Sequence, residues 1–162
     1  IRYPRGQGVL AQWRTPFEKI RIGTGRRVQQ GHELAVLSYG HPGNFVQEAF
    51  RQLTTDGITP AHYDMRFVKP LDDKLLHEVF KKYTKILTVE DGCLEGGMGS
   101  AVLEFMADHN YSAQVIRLGI PDRVIEHGEQ PELWAECGYD AAGIAAQVRA
   151  LGIKPNEHII AS

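Results

Sequence analysis

The sequence of 162 residues predicts a three-layer α/β domain, in which a mostly parallel (mixed) sheet of about five strands is flanked by helices. Two observations carry this prediction. Short apolar runs typical of buried strands alternate with longer segments whose apolar residues recur every three or four positions, as on one face of a helix. Glycine and proline residues, which favour turns, separate most of these segments.

The clearest strand-to-helix unit spans residues 85–107. The apolar run at 86–89 predicts a buried strand that ends at Glu90 and Asp91. A glycine-rich turn follows, and Ser100 is placed to cap or open the next helix. The turn contains Gly92, Gly96, Gly97 and Gly99. The predicted helical face consists of Val102, Leu103, Phe105 and Met106.

The rest of the domain repeats this alternation in chain order. Further strands are predicted at 34–39, 61–68 and 113–118. Helices are predicted at 45–53, 72–83, 131–137 and 140–152. Asp72 and Asp140 are the expected N-caps of two of these helices, because a carboxylate accepts hydrogen bonds from the free N–H groups of a first turn.

The flanking segments do not share this pattern. Residues 1–6 predict a short strand that belongs to the end of a preceding domain, because the next 25 residues offer it no clear partner. Residues 7–31 predict a linker with one or two short strands, in which Arg26 and Arg27 are solvated. Residues 32–153 form the predicted α/β domain, and residues 154–162 a loose tail. The chain begins without a methionine, which we interpret as a piece of a longer protein.

Composition excludes several classes of protein. A net charge of -2 gives no basic field for nucleic acid. No apolar run approaches the roughly 18 residues of a membrane helix. Two cysteines, Cys93 and Cys137, are too few for a disulfide framework or a four-cysteine metal site. We therefore expect a cytoplasmic protein with reduced thiols that contacts neither membrane nor nucleic acid.

No complete active site can be identified from spacing. The glycine-rich turn lies where a phosphate cradle could form, but it matches neither GxxxxGK[ST] nor GxGxxG, and its acidic flanks would repel phosphate. Close packing of the helix against its sheet is the favoured interpretation. His41 and His127 follow strands and are interpreted as surface residues, and no histidine spacing indicates a metal site. Asp64 and Arg66 are expected to form an ion pair on one strand face.

Five motifs in order resemble a known family. They are IRYPRG at 1–6, DMRFVKPLD at 64–72, TVE at 88–90 followed by GGMGS, LGIPDRVIEHG at 118–128 and GYDAAGI at 138–144. Together they resemble the carboxyl-terminal part of the 1-deoxy-D-xylulose-5-phosphate synthase family, which belongs to the transketolase-like thiamine diphosphate enzymes. The resemblance extends from residue 1 to about residue 152.

This resemblance implies a function for the whole enzyme. Such enzymes are homodimeric transferases that condense pyruvate with glyceraldehyde 3-phosphate, release carbon dioxide and supply isoprenoid, thiamine and pyridoxal synthesis. Thiamine diphosphate and Mg²⁺ bind to two preceding domains, of which residues 1–6 would end the pyrimidine-binding one. Arg5 matches the position that binds the aldehyde's phosphate, and a guanidinium suits phosphate oxygens. The cofactor motifs are missing from this chain, so no catalytic, cofactor-binding or metal-binding residue is expected in it.

Two other functions stay open. Related enzymes use the equivalent domain to dock partner subunits or regulators, for which the loops at 40–43, 90–99 and 119–128 would provide the surface. A free-standing nucleotide-binding protein would require the glycine-rich turn to hold phosphate, and the acidic flanks of that turn argue against it.

Overall fold

The structure, a computed structural model, describes residue 16 and residues 18–155. Five strands form one sheet in the order β1-β3-β2-β4-β5. The strands are β1 (Arg26–Gln29), β2 (Leu34–Tyr39), β3 (Ala61–Asp64), β4 (Lys85–Cys93) and β5 (Gln114–Ile120). The helices are α1 (Pro42–Thr54), α2 (Asp73–Lys82), α3 (Met98–Asp108), α4 (Gln130–Glu136) and α5 (Ala141–Ala150).

The sheet is mixed, as the sequence predicts. Strands β2 to β5 pair in parallel, and β1 joins β3 antiparallel at one edge. After β2 the chain passes through α1 to β3 on one side, whereas β4 lies on the other side of β2. The connections that leave β2 and β4 therefore depart to opposite faces of the sheet, and the gap between them is its topological switch point.

Two apolar cores lie on the two faces of the sheet. Successive residues of a strand point to opposite faces, so Leu34 and Val36 pack with α1 and α5, while Ala35 and Leu37 pack with α2 and α3. Strand β4 divides its residues in the same way, with Leu87 on the first face and Ile86 on the second. Burial on both faces explains why these strands read as unbroken apolar runs.

The predicted helix ends are largely confirmed. The Asp72 carboxylate accepts from the Leu75 N–H at 3.0 Å, and Asp140 accepts from the Gly143 N–H at 2.8 Å. Helix α5 ends before Gly152, which takes a left-handed φ of 61° that costs glycine little.

Several boundaries differ from the prediction, of which three bear on the site. Strand β4 does not end at Glu90 but continues to Cys93. Glu90 is buried and still pairs with Tyr39 of β2, and the pairing with β5 is irregular between Val89 and Cys93. Strand β3 ends at Asp64, since Arg66 takes a left-handed φ of 56° that no strand accommodates. Ser100 neither caps nor opens α3, which begins at Met98.

Residues 26–29 of the predicted linker form the edge strand β1. Arg26 and Arg27 are exposed and form ion pairs with Asp64 and Glu78. The predicted domain boundaries at residues 6, 31 and 153 stay predictions. The segment at 1–6 and most of the tail at 154–162 lie outside the described residues.

Candidate functional site

The switch point brings together the three loops that the sequence singles out. The predicted loop at 40–43 is shorter in the structure, because α1 begins at Pro42. His41, which directly precedes α1, lies beside Asp91, with 3.5 Å between Nδ1 and Oδ2. The Leu94 N–H donates to the Ile120 carbonyl at 2.9 Å, which joins the loop at 90–99 to the start of the third. Ligands of α/β proteins bind in such a crevice, so these loops form the candidate site.

The amino end of α3, where an external anion would bind, already holds a carboxylate of this chain. Glu90 is buried, and its two oxygens accept from the Met98 and Gly99 N–H groups, each at 2.8 Å. A helix amino terminus favours negative charge because its first N–H groups have no partner within the helix. Glu90 therefore occupies the place that a phosphate would take, in agreement with the packing interpretation of this turn.

Two glycines of this turn have no space for a side chain, and one of them borders the Glu90 carboxylate. A Cβ on Gly97 would lie 2.2 Å from the Cys93 carbonyl oxygen and 2.5 Å from a Glu90 oxygen. A Cβ on Gly99 would lie 2.5 Å from the Thr88 hydroxyl. The GGMGS motif thus permits close contact between α3 and β4.

A glycine-to-alanine pair tests this contact. We expect Gly97→Ala to lower the free energy of unfolding by about 3 kcal/mol, because its new methyl group meets backbone and a buried carboxylate. Gly96→Ala should cost only about 1 kcal/mol, since Gly96 has open space around it and a left-handed φ of 74°. Urea denaturation measures both values, and equal losses would contradict the steric explanation.

A second network fastens the outer side of the same loop. The Arg117 guanidinium donates to the Leu94 carbonyl and, at 2.9 Å, to the Ser100 hydroxyl. That hydroxyl donates to Leu94 and accepts from the Gly96 N–H. The Ser100 hydroxyl of the GGMGS motif is therefore bound within the protein, where it holds the turn in place.

Three side chains from distant parts of the chain meet at the switch point. The Tyr139 hydroxyl donates to Asp91 Oδ1 at 2.8 Å, and His41 faces the other oxygen of this carboxylate. The His41 ring packs against Phe45 and Trp134, with ring centroids 5.4 and 5.3 Å away. These rings bury Nε2 of His41, which has no hydrogen-bond partner among the described residues.

Burial sets the protonation of this cluster. It lowers the pKa of His41, and the Asp91 carboxylate opposes that effect only in part. The pKa of Tyr139 is raised, first by burial and then by its hydrogen bond to Asp91. His41 and Tyr139 are therefore neutral at pH 7. With Nδ1 facing Asp91 and Nε2 enclosed, His41 is not available as a general base for a dissolved substrate.

Ser38 and His62 form a second pair that resembles a nucleophile and its base. The distance between the Ser38 hydroxyl and His62 Nε2 is 2.8 Å. Both residues are buried, with 0% and 1% exposure, under Gly43 and Phe50. Since no reactant can approach the hydroxyl, the pair stabilises the fold and does not act as a catalytic dyad.

The remaining predicted residues are distributed as follows. Arg5, the one predicted substrate-binding residue, lies outside the described residues. Arg66 faces Asp64 with 3.9 Å between Nε and Oδ2, which confirms their ion pair, although the left-handed turn at Arg66 rather than strand alternation brings them together. His127 is exposed as predicted, whereas His41 is largely buried and the surface interpretation of it is wrong.

The contact between Tyr139 and Asp91 was not predictable. The two residues are 48 positions apart, and neither belongs to a spacing that indicates a site.

In the described part of the chain, no three His, Cys, Asp or Glu side chains are grouped as metal ligands would be. No helix within that part is long and apolar enough to cross a bilayer.

The chain is similar in sequence to curated proteins of one name. A 1-deoxy-D-xylulose-5-phosphate synthase of Cytophaga hutchinsonii is 66% identical over 151 residues, and one of Parabacteroides distasonis is 50% identical over 149. The matches cover 93% and 92% of this chain but only 24% of each relative. The chain thus spans about a quarter of the length of these curated relatives.

A solved structure and a family model also match this chain, and both are transketolases by description. A solved protein described as a split gene transketolase, an inactive β4 tetramer, superposes with a TM-score of 0.75 and 27% identity, over 82% of this chain and 43% of its own. The family described as transketolase, C-terminal domain, matches residues 23–144. That match includes all five strands and the switch point, and the chain belongs to the transketolase C-terminal domain family.

Proposed function

We propose that this chain is the carboxyl-terminal domain of a 1-deoxy-D-xylulose-5-phosphate synthase. The observation that carries the proposal is 66% identity to a protein of that name over nearly the whole chain. The parent enzyme condenses pyruvate with glyceraldehyde 3-phosphate and releases carbon dioxide, for isoprenoid, thiamine and pyridoxal synthesis. It is a cytoplasmic homodimer, and this domain serves its assembly and supplies Arg5 to the phosphate site.

Thiamine diphosphate and Mg²⁺ do not fit the residues of the candidate site. The α3 amino terminus is occupied by Glu90, and an added diphosphate would bring negative charge against a buried carboxylate. We therefore place the cofactor in the part of the parent enzyme that precedes this chain, and no catalytic step is assigned to the described residues.

A chimeric enzyme tests the assignment. The corresponding quarter of the Cytophaga hutchinsonii synthase is replaced by this chain, and formation of 1-deoxy-D-xylulose 5-phosphate is assayed by mass spectrometry. We expect product from pyruvate and glyceraldehyde 3-phosphate, because two thirds of the residues are identical. A chimera that folds and binds the cofactor but forms no product, while the unmodified enzyme does, would contradict the proposal.

The cofactor prediction is tested on the isolated chain. Calorimetric titration with thiamine diphosphate and Mg²⁺ should show no binding at micromolar concentrations, whereas the chimera should bind. Micromolar affinity of the isolated chain would show that the glycine-rich turn or a neighbouring loop holds the cofactor after all.

Arg5→Ala in the chimera tests the proposed phosphate contact. We expect the apparent Michaelis constant for glyceraldehyde 3-phosphate to rise about ten- to a hundredfold, because a hydrogen bond between charged groups contributes about 1.5–3 kcal/mol. The constant for pyruvate should barely change. Arg51→Ala is the matched control, since Arg51 is exposed and forms an ion pair with Glu48 on its own helix. An increase confined to the pyruvate constant would exclude this role.

A second function, docking of a partner or regulator, is supported by the meeting of the three loops at the switch point. It keeps the family and changes only the task of the domain. Crosslinking of the intact enzyme to another protein through residues 40–43, 90–99 or 119–128 would favour docking. If the intact enzyme forms no crosslink to another protein and keeps its activity after the crosslinking treatment, assembly remains the proposed function of the domain.

A further inference from the structure

Two histidines meet on the face of the sheet that carries α2 and α3, away from the three loops of the switch point. His77 lies on α2, and His109 directly follows α3. Their ring centroids are 4.6 Å apart, and the ring planes stand at 88° to each other. His77 is half-buried and His109 is exposed, so dissolved ions can reach the pair. The two residues are far apart in the sequence, and spacing therefore gives no sign of them.

Both rings are held through the same nitrogen. His109 Nδ1 donates to the Phe105 carbonyl at 2.9 Å, because a carbonyl oxygen can only accept. His77 Nδ1 lies 2.9 Å from the Tyr111 hydroxyl oxygen, which can accept its proton. A neutral histidine that donates from Nδ1 keeps a lone pair on Nε2. Neither Nε2 has a hydrogen-bond partner in the part of the chain that the structure describes.

This arrangement is the one that metal-binding histidines show in proteins. An oxygen accepts from one ring nitrogen, which fixes the tautomer and the direction of the ring, and the ion binds to the other nitrogen. A backbone carbonyl fills the first role for His109, and a tyrosine hydroxyl does so for His77. The two free Nε2 atoms are therefore suited to be metal ligands.

Aromatic packing holds the two rings in position. The Phe105 ring stacks on His109, with centroids 4.1 Å apart, and contacts His77 edge to face at 4.9 Å. The Tyr111 ring stacks in turn on Phe80, at 5.2 Å. Side chains that are ordered before a ligand arrives lose little conformational entropy when it binds.

The separation of the two rings suits one shared ion. Two imidazoles that bind one metal ion through nitrogen, at about 2.0–2.1 Å and with about 90–110° between the bonds, have ring centroids about 4.5–5 Å apart. The observed separation of 4.6 Å lies in this range. Imidazole nitrogen favours Zn²⁺, Cu²⁺ and Ni²⁺, whereas Mg²⁺ and Ca²⁺ prefer oxygen ligands.

We infer that His77 and His109 bind one late first-row transition-metal ion through their Nε2 atoms, with water in the remaining coordination positions. Tyr111 and the Phe105 carbonyl orient the two rings. Such an ion ties α2 to the end of α3. Two protein ligands bind more weakly than the four of a structural zinc centre, so we expect a dissociation constant for Zn²⁺ in the micromolar range. This site goes beyond the proposed function and is distinct from the Mg²⁺ of the parent enzyme.

Zinc titration of the untagged, ¹⁵N-labelled chain is the first test. Long-range ¹H–¹⁵N NMR spectra observe the imidazole nitrogens of each histidine. We expect the Nε2 signals of His77 and His109 to shift together and to saturate at one ion per chain, while the exposed His127 keeps its signals. Equal concentrations of Mg²⁺ should shift neither signal. If only one of the two Nε2 signals moves, or neither moves at millimolar Zn²⁺, the inference is overturned.

Removal of one ligand tests whether the two histidines share the ion. His109→Gln changes an exposed position, so the fold should persist. We expect the affinity for Zn²⁺ to fall at least about tenfold, because even the outer partners of metal ligands contribute that much. The Nε2 shift of His77 should disappear at concentrations that saturate the unmodified chain. His127→Gln is the matched control and should bind Zn²⁺ normally. An unchanged affinity in His109→Gln would contradict a shared ion.

Tyr111→Phe tests the orientation of His77. The variant keeps the ring that stacks on Phe80 and removes only the oxygen beside His77 Nδ1. We expect about tenfold weaker binding of Zn²⁺, at the lower end of the range for lost outer partners. Unchanged affinity would overturn the assignment of Nε2 as the ligand atom of His77. These measurements use the isolated chain, so their outcome does not depend on whether the chimera forms product.

Discussion

Glu90→Ala is expected to lower the free energy of unfolding by about 4 kcal/mol, a large share of the 5–15 kcal/mol typical of a domain. The substitution removes two hydrogen bonds to a charged acceptor, each contributing about 1.5–3 kcal/mol, and leaves the Met98 and Gly99 N–H groups buried without a partner. Urea denaturation followed by circular dichroism measures the loss.

A graded set of variants separates the charge from the packing at this position. Glu90→Gln keeps the shape and one accepting oxygen, so we expect a loss of about 2 kcal/mol. Glu95→Gln is the matched control, because Glu95 is exposed on the same loop and its substitution should change stability by less than about 0.5 kcal/mol. A Glu90→Gln loss no larger than that of the control would show that the buried charge contributes nothing.

Acid is expected to destabilise the domain through His62. Burial lowers the pKa of His62 from 6.5 to about 4, an effect that Asp64 opposes and Arg26 reinforces. The unfolded chain therefore takes up a proton near pH 6.5 that the folded protein takes up only near pH 4. Stability falls as the pH decreases through this interval, by about 3 kcal/mol in total from this residue.

Comparison of variants isolates this effect from other titrating groups. Free energies of unfolding are measured between pH 7.5 and 4. His62→Gln should lose stability at every pH but show a smaller decrease with acid than the unmodified chain. His127→Gln, at an exposed position, should keep the full decrease. If His62→Gln kept it as well, the acid sensitivity would come from another residue.

The sequence predicts most of the architecture because its signals are local. Apolar periodicity locates the central strands and the helices, and Asp72 and Asp140 cap the helices that they precede. The end of β4 was missed for a physical reason. A glutamate after an apolar run normally marks solvent, and only the turn of α3 back onto the strand makes a buried Glu90 favourable.

The contacts of the candidate site are harder to predict from the sequence than the fold. The prediction that the glycine-rich turn serves packing follows from acidic neighbours that repel phosphate, and Glu90 supplies its physical basis. His41, Asp91 and Tyr139 belong to three segments whose contact depends on which strands become neighbours. Strand order is set by packing of the whole domain, so spacing along the chain carries no information about this cluster.

The two cores on opposite faces share their supporting strands. Because β2 and β4 contribute alternate residues to both cores, neither core can unfold while the other stays intact. A substitution that loosens the packing under α1 should also weaken the packing under α3, because adjacent residues of the same strand belong to the two cores. We therefore expect the domain to unfold in a single cooperative transition on heating.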